Sequence, residues 1–201
     1  MSYATNTCIV LIPGLGDTGG KKLYYEFYKS IEKRPGINFM LYNSPKSINS
    51  WFEVYDFKKL ARVIKKLKSQ YSKIYLIGHS LGCLSAIRLS NRVDGTICWD
   101  PSLHPYDVFK FMNTSLKTKN KAKRYPQIKK LLNEVKTPIT IISAEKAGGV
   151  FVKSLYMAHA TNFIKNITIK SSDHDFSAMK HRLKLFKYTL DSIKNTSPKD
   201  W

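Results

Sequence analysis

The segment Gly78-His79-Ser80-Leu81-Gly82 places a serine between two glycines, directly after the apolar run Ile74-Tyr75-Leu76-Ile77 and before a helical pattern through Leu84, Ile87 and Arg88. A serine at such a strand-to-helix turn is forced into a strained backbone with its hydroxyl exposed. The flanking glycines are needed because a Cβ at either position would collide with the neighbouring strand and helix. Serine is a poor nucleophile until a base takes its proton, so the reading requires a histidine and, for acyl transfer, an oxyanion hole.

His174 is the histidine with the right placement. It follows the last expected strand in Ser171-Ser172-Asp173-His174-Asp175-Phe176, which in a parallel sheet is the edge at which Ser80 emerges. His79 lies inside the turn, His104 in a long connection, and His159 and His181 on helical patterns, where partly exposed structural roles are expected. Near the N-terminus, Pro13-Gly14-Leu15-Gly16-Asp17-Thr18-Gly19-Gly20 forms a glycine-rich turn after another apolar run. Glycine loops before helices bind phosphate, but neither dinucleotide nor P-loop spacing is present, and Lys21 lacks the following hydroxyl. An oxyanion hole suits the turn better, with the amides of Leu15 and Leu81 as donors worth about 2.7 to 4 kcal/mol each in other enzymes.

Six short apolar strands must hold these residues. They are expected near Thr7 to Ile12, Ile37 to Tyr42, Lys73 to Ile77, Thr96 to Trp99, Ile139 to Ser143 and Asn166 to Lys170. Helical patterns alternate with them, so the fold class is α/β: a three-layer α/β/α sandwich around a mostly parallel six-stranded sheet. Leu23, Phe27 and Ile31 share one face of a helix over Lys22 to Lys33, and Phe57, Leu60, Ile64 and Leu67 one face over Trp51 to Ser69. The last helix, about Ser177 to Lys194, is expected to turn Met179, Leu183, Phe186, Leu190 and Ile193 inward and Lys180, Arg182, Lys184 and Lys187 outward. One domain is expected over residues 1–201. The long connection 101–136, expected to hold two short helices, reads as a small lid-like insertion.

The order of oxyanion turn, Gly-His-Ser-Leu-Gly and late histidine resembles the α/β-hydrolase superfamily, in a minimal single-domain form, over nearly the whole chain. Gly14 to Gly19 is similar to the turn of acyl-protein thioesterases and related carboxylesterases, with Pro13 in place of their usual histidine. Gly78 to Gly82 is similar to the elbow of lipases and other thioesterases. The resemblance implies Ser80 as nucleophile, His174 as general base and acid, and the Leu15 and Leu81 amides as oxyanion donors. Most relatives carry the triad acid in a turn like Gly-Glu-Lys-Asp, where this chain reads Ala144-Glu145-Lys146-Ala147. Some lipases carry it one strand earlier, where this chain ends Trp99-Asp100-Pro101. Asp100 is therefore the first choice of acid and Glu145 the second, while an Asx-turn before proline is the bland role for Asp100. Asp173 and Asp175 are too close in sequence to His174 to orient its ring.

The expected activity is hydrolysis of carboxylic esters or thioesters through an acyl-enzyme, without metal or organic cofactor. Peptide hydrolysis shares the same acyl chemistry. Gly14, His79 and Phe109 are expected to touch substrate, and Phe111, Met112 and Tyr125 either line an acyl pocket or pack the lid. The chain carries 34 basic and 14 acidic residues in 201, for a net charge of +20. Such a field attracts anionic membrane surfaces or phosphate-bearing ester substrates, whether small molecules or lipids, or it records composition and solubility alone. The second reading is a catalytically weak scaffold binding nucleic acid non-specifically, or anionic membrane, through that surface.

Hydrophobic content of 43% argues against disorder, and no apolar run approaches the ~20 residues of a membrane span. The run Cys8 to Ile12, broken by Pro13-Gly14, reads as a strand rather than a leader. Cys8, Cys83 and Cys98 have no metal-ligand spacing and read as reduced, buried thiols of a cytoplasmic monomer.

Overall fold

The computed structural model describes residues 6–14, 22–42, 57–102, 106, 110, 115, 123, 128–147 and 163–194. Its strands are β1 (Thr7–Ile12), β2 (Ile37–Leu41), β3 (Lys73–His79), β4 (Gly95–Trp99), β5 (Ile139–Ala144) and β6 (Ile164–Ile169). Its helices are α1 (Lys22–Ile31), α2 (Phe57–Lys68), α3 (Gly82–Arg88), α4 (Ile128–Asn133) and α5 (Met179–Lys194), with a 3₁₀ turn over Ser90–Arg92.

The strands form one sheet in the order β2-β1-β3-β4-β5-β6. Every pairing is parallel, so the sheet is wholly rather than mostly parallel. Central strands of such a sheet are buried on both faces and read as continuous apolar runs, as Cys8 to Ile12 and Ile74 to Ile77 do. Their alternate side chains point to opposite layers. Ile9 and Leu11 pack with Phe27 and Ile31 of α1 and with Leu185, Phe186 and Leu190 of α5. Cys8, Val10 and Ile12 pack with Leu60 and Ile64 of α2 and Ala86 of α3. The three layers follow from that alternation.

Two expectations change. The 101–136 connection ends in α4, whose Leu131 and Leu132 close a third core cluster with Cys83, Leu84 and Ile87 of α3. That end of the connection packs against the core; of the rest, only Pro101, Ser102, Tyr106, Lys110, Ser115 and Lys123 are described before α4. The start of α5 is rotated relative to its apolar spacing. Met179 and Leu183 are 62% and 61% exposed, whereas Arg182 is buried. The guanidinium is drawn inward because Nε donates to Glu26 Oε2 at 2.6 Å on α1, and Nη1 donates to the carbonyls of Phe176 and Ser177. The core-facing role of Phe186, Leu190 and Ile193 holds. His181 is buried rather than partly exposed.

The register aligns the strand ends that carry the site. Ile12 lies beside Gly78, and His79 beside Trp99. The residues that follow, Gly14 after β1, Ser80 after β3 and Asp100 after β4, therefore emerge together at the C-terminal edge of the sheet.

Candidate active site

Ser80 sits at the β3–α3 turn with φ 53°, a left-handed conformation that costs an L-residue of this type free energy and is found where surrounding structure imposes it. Its amide donates to the Trp99 carbonyl at 3.0 Å, and its own carbonyl accepts the Cys83 amide at 3.2 Å, so the turn is tied to both β4 and α3. A Cβ on Gly78 would stand 2.5 Å from Cys83 Cα, and one on Gly82 would stand 2.2 Å from the Ile12 carbonyl oxygen. Each glycine is thus required by close backbone approach, one against the helix and the other against β1. A Cβ on Gly14 would lie 2.9 Å from Ser80 Cβ. The glycine-rich turn therefore reaches the serine side chain itself.

His174 and Asp100 meet across 74 residues of sequence. His174 Nδ1 lies 2.6 Å from Asp100 Oδ2, with the histidine side chain 26% and the aspartate 3% exposed. A carboxylate only accepts, so Nδ1 carries the proton and Nε2 is left as the basic atom. Asp100 is itself fixed: its amide donates to Ile142 O at 2.8 Å and Oδ1 accepts the Ala144 amide at 2.9 Å. It too has a positive φ, 41°. Glu145 Oε2 instead accepts the Ser171 amide at 2.8 Å and helps pin the loop bearing His174. Ser171 and Phe176, at φ 60° and 49°, bracket that loop. Asp173 caps the turn with bonds from the Ser177 amide and hydroxyl. Burial works to raise the Asp173 carboxyl, but the Ser177 bonds outweigh it and hold the group below its ordinary range.

His79, expected to touch substrate, is 1% exposed and serves the scaffold instead. Its ring stacks on His174 with centroids 5.0 Å apart. Nε2 lies 3.2 Å from the His174 carbonyl and Nδ1 2.7 Å from Tyr24 Oη. Because the carbonyl only accepts, Nε2 carries the proton and Nδ1 accepts from tyrosine. Tyr24 Oη in turn accepts the Gly14 amide at 3.4 Å. A chain of hydrogen bonds thus links the glycine-rich turn to the histidine loop.

Donor atoms of His79, His174 and Asp175 lie within 4.8 Å of one another. Rings stacked 23° from parallel do not aim two in-plane lone pairs at one ion, and His79 Nε2 already faces a carbonyl. The cluster suits hydrogen bonding better than a cation.

Two residues here had not been singled out from the sequence. Ser102 Oγ lies 3.1 Å from Ser80 Oγ and is 1% exposed. Tyr24 is the other; a tyrosine among the inward residues of α1 signals a buried hydroxyl that needs a partner. Leu81 caps α3 beside Ser80. Leu15, Phe109, Phe111, Met112 and Tyr125, together with His104 and His159, lie outside the described residues.

No protein-family model and no curated protein matches the chain. Solved structures do resemble it. Est1E from Butyrivibrio proteoclasticus superposes with a TM-score of 0.70 at 12% identity, covering 94% of this chain and 89% of that one. The α/β hydrolase GrgF from Penicillium sp. sh18 gives 0.69 at 12%, over 94% and 90%. The esterase Pf2001 of Pyrococcus furiosus gives 0.69 at 15%, over 94% and 83%. Among the described residues no helix is long and apolar enough to cross a membrane. With its wholly parallel six-stranded sheet and a strained serine turn after the third strand, the chain has the α/β-hydrolase fold.

Proposed function

We propose that the chain is a serine hydrolase that cleaves carboxylic esters or thioesters of small molecules or lipids through an acyl-enzyme. The observation that carries this reading is the 2.6 Å bond from His174 Nδ1 to a buried, twice-anchored Asp100 at the sheet edge where Ser80 emerges. In the reaction, His174 Nε2 takes the Ser80 hydroxyl proton as Oγ attacks the acyl carbon. The oxyanion that forms is stabilised by the Leu81 amide and, following the family resemblance, by that of Leu15. Collapse breaks the bond to the leaving alkoxide or thiolate, which receives the proton held by His174. Water then repeats the sequence on the acyl-serine, returning the enzyme and releasing the acid.

Asp100 keeps His174 in the tautomer with a basic Nε2 and offsets the imidazolium charge. Ser102 supplies a hydroxyl partner that holds Ser80 Oγ in place before substrate arrives. The Pyrococcus furiosus neighbour of the same fold is an esterase, which supports the same reading.

The test is labelling with a fluorophosphonate probe beside turnover of short p-nitrophenyl esters and thioesters. Wild-type protein is expected to label and turn over, and Ser80→Ala to do neither. A folded wild-type protein that neither labels nor hydrolyses would end the proposal.

A further inference from the structure

A groove of about 510 Å³ lies between α2 and the end of α3, away from Ser80. Helix α2 lines it with Lys58, Arg62 and Lys65, residues spaced four and three apart and so on one face. Arg88 and Arg92 supply the other wall, and Ala61 and Leu89 contribute apolar surface. On a lone helix the basic residues of α2 would form a solvated face; the fold sets them against two further arginines.

The groove is separate from the catalytic cluster. Helix α3 leaves Ser80 and runs back along the sheet, so Arg88 lies at its far end. Arg92 is two residues before Asp94, whose amide and carboxylate both bond to Ile74 near the start of β3. That is the opposite edge of the sheet from Ser80.

Five cations share one groove with no carboxylate in its lining. Among the described residues, none of the ion pairs involves Arg62, Lys65 or Arg92. Helix dipoles favour cations in last turns, which accounts for Lys65 and Arg88 but not for Arg62 in the middle of α2. Like charges so gathered repel one another, and an anion of high charge density relieves the repulsion. Guanidinium forks match phosphate oxygens in pairs. The volume falls within the range of small-ligand sites.

We propose that this groove binds a ligand with clustered phosphates, an oligophosphate group held between Arg62 on one wall and Arg88 and Arg92 on the other. Such a group occurs in inorganic polyphosphate and in nucleoside polyphosphates, and in the latter the nucleoside would rest on Ala61 and Leu89.

Calorimetric titration of the full chain with sodium tripolyphosphate and with ATP, at about 150 mM salt to screen diffuse attraction, tests this. Saturable binding of one ligand per chain is expected, with Arg62→Gln plus Arg92→Gln weakening it by about tenfold or more, the scale of a lost charge-assisted hydrogen bond. Lys184→Gln plus Lys187→Gln removes equal charge from the exposed face of α5 and is expected to leave affinity within about twofold. Arg62→Lys plus Arg92→Lys keeps charge but loses the forks, and is expected to weaken binding severalfold even if the glutamine pair fails to fold. Tighter binding of ATP than of tripolyphosphate identifies a nucleotide site; equal binding identifies the oligophosphate alone. No saturation, equal losses in the glutamine pairs of groove and α5, or binding of only RNA or anionic vesicles would overturn the proposal. Ester hydrolysis by the groove variants is expected to match wild type, so this result and that for Ser80 are read independently.

Discussion

Asp100 holds His174 through a bond of 2.6 Å that spans two strands of the sheet, from the end of β4 to the loop after β6. Asp100 stands one strand earlier than the Ala144-Glu145-Lys146-Ala147 turn, where Ala147 packs against the core. Replacing Asp100 by asparagine keeps the shape and removes the charge. By analogy with a protease in which the same change cost about 10⁴ in turnover, Asp100→Asn is expected to lower kcat by roughly three to four orders of magnitude. Glu145→Gln should stay within about threefold, because its carboxylate serves the Ser171 amide. Equal activity of Asp100→Asn and wild type in ester turnover would remove Asp100 from the machinery.

The hydroxyl of Tyr24 joins the Gly14 amide to the His79 ring. Tyr24→Phe leaves His79 Nδ1 without that donor in a buried site, a change that costs about 1 to 3 kcal/mol. The expected outcome is a lower melting temperature together with a fall in kcat that exceeds any change in KM, since both the glycine-rich turn and the histidine loop lose a tether. Unchanged kcat in a destabilised Tyr24→Phe protein would reduce the tether to a stability role.

At Gly82 an added methyl meets the Ile12 carbonyl oxygen at 2.2 Å, a backbone atom that cannot swing aside as the end of a side chain could. Gly82→Ala is expected to destabilise by about 3 kcal/mol or more and to abolish fluorophosphonate labelling. Chemical denaturation checks the first outcome and the label the second.

Burial pushes the Cys8 thiol up to about 11. Cys83 is raised as well, first by burial and then by Cys98 and Asp100 nearby. The thiolate is the reactive form, so at pH 8 Cys8 is ionised to only about a thousandth. Native protein is expected to resist a thiol reagent that consumes all three free cysteines in denaturant. The same shift fixes a pH effect. Above the ordinary value of 9.0, the unfolded chain releases the Cys8 proton that the native state keeps. Stability is therefore intact below pH 9 and declines as pH rises toward 11. Denaturation midpoints across that interval, compared with those of Cys8→Ala, measure it.

Much of this site was legible because its signals are local. The glycines around Ser80 and the alternation of apolar strands with helical patterns located the turn, and the position of His174 after the last strand put it at the same edge. Asp100 was legible only as one of two choices, since nothing near Trp99-Asp100-Pro101 shows that β5 offers the Ala144 amide to hold it. Ser102 carried no spacing signal at all. Its role arises because Asp100 and Ser80 end adjacent strands, which brings the residue two past Asp100 back to the serine. The start of α5 misled for the opposite reason: apolar periodicity weighs hydrophobicity alone, while the partner of Arg182 is Glu26, 156 residues away.

That ion pair yields the last prediction. Arg182 is 5% exposed and joins α5 to α1 through Glu26, while its other arm holds carbonyls of Phe176 and Ser177 just after the His174 loop. Arg182→Ala would leave Glu26 with only its longer contact to Lys22 at 3.8 Å and would take the guanidinium from two carbonyls, and hydrogen bonds to charged groups are worth about 1.5 to 3 kcal/mol each. Arg182→Met fills the volume yet restores no donor, so it is expected to recover part of the packing loss and none of the loop's anchoring. The two variants should differ in melting temperature but share a reduced kcat, because the carbonyls that Arg182 grips set where the loop can carry His174. If Arg182→Met restores kcat as well as stability, the side chain acts through packing alone and the loop is held by Asp173 and Ser177.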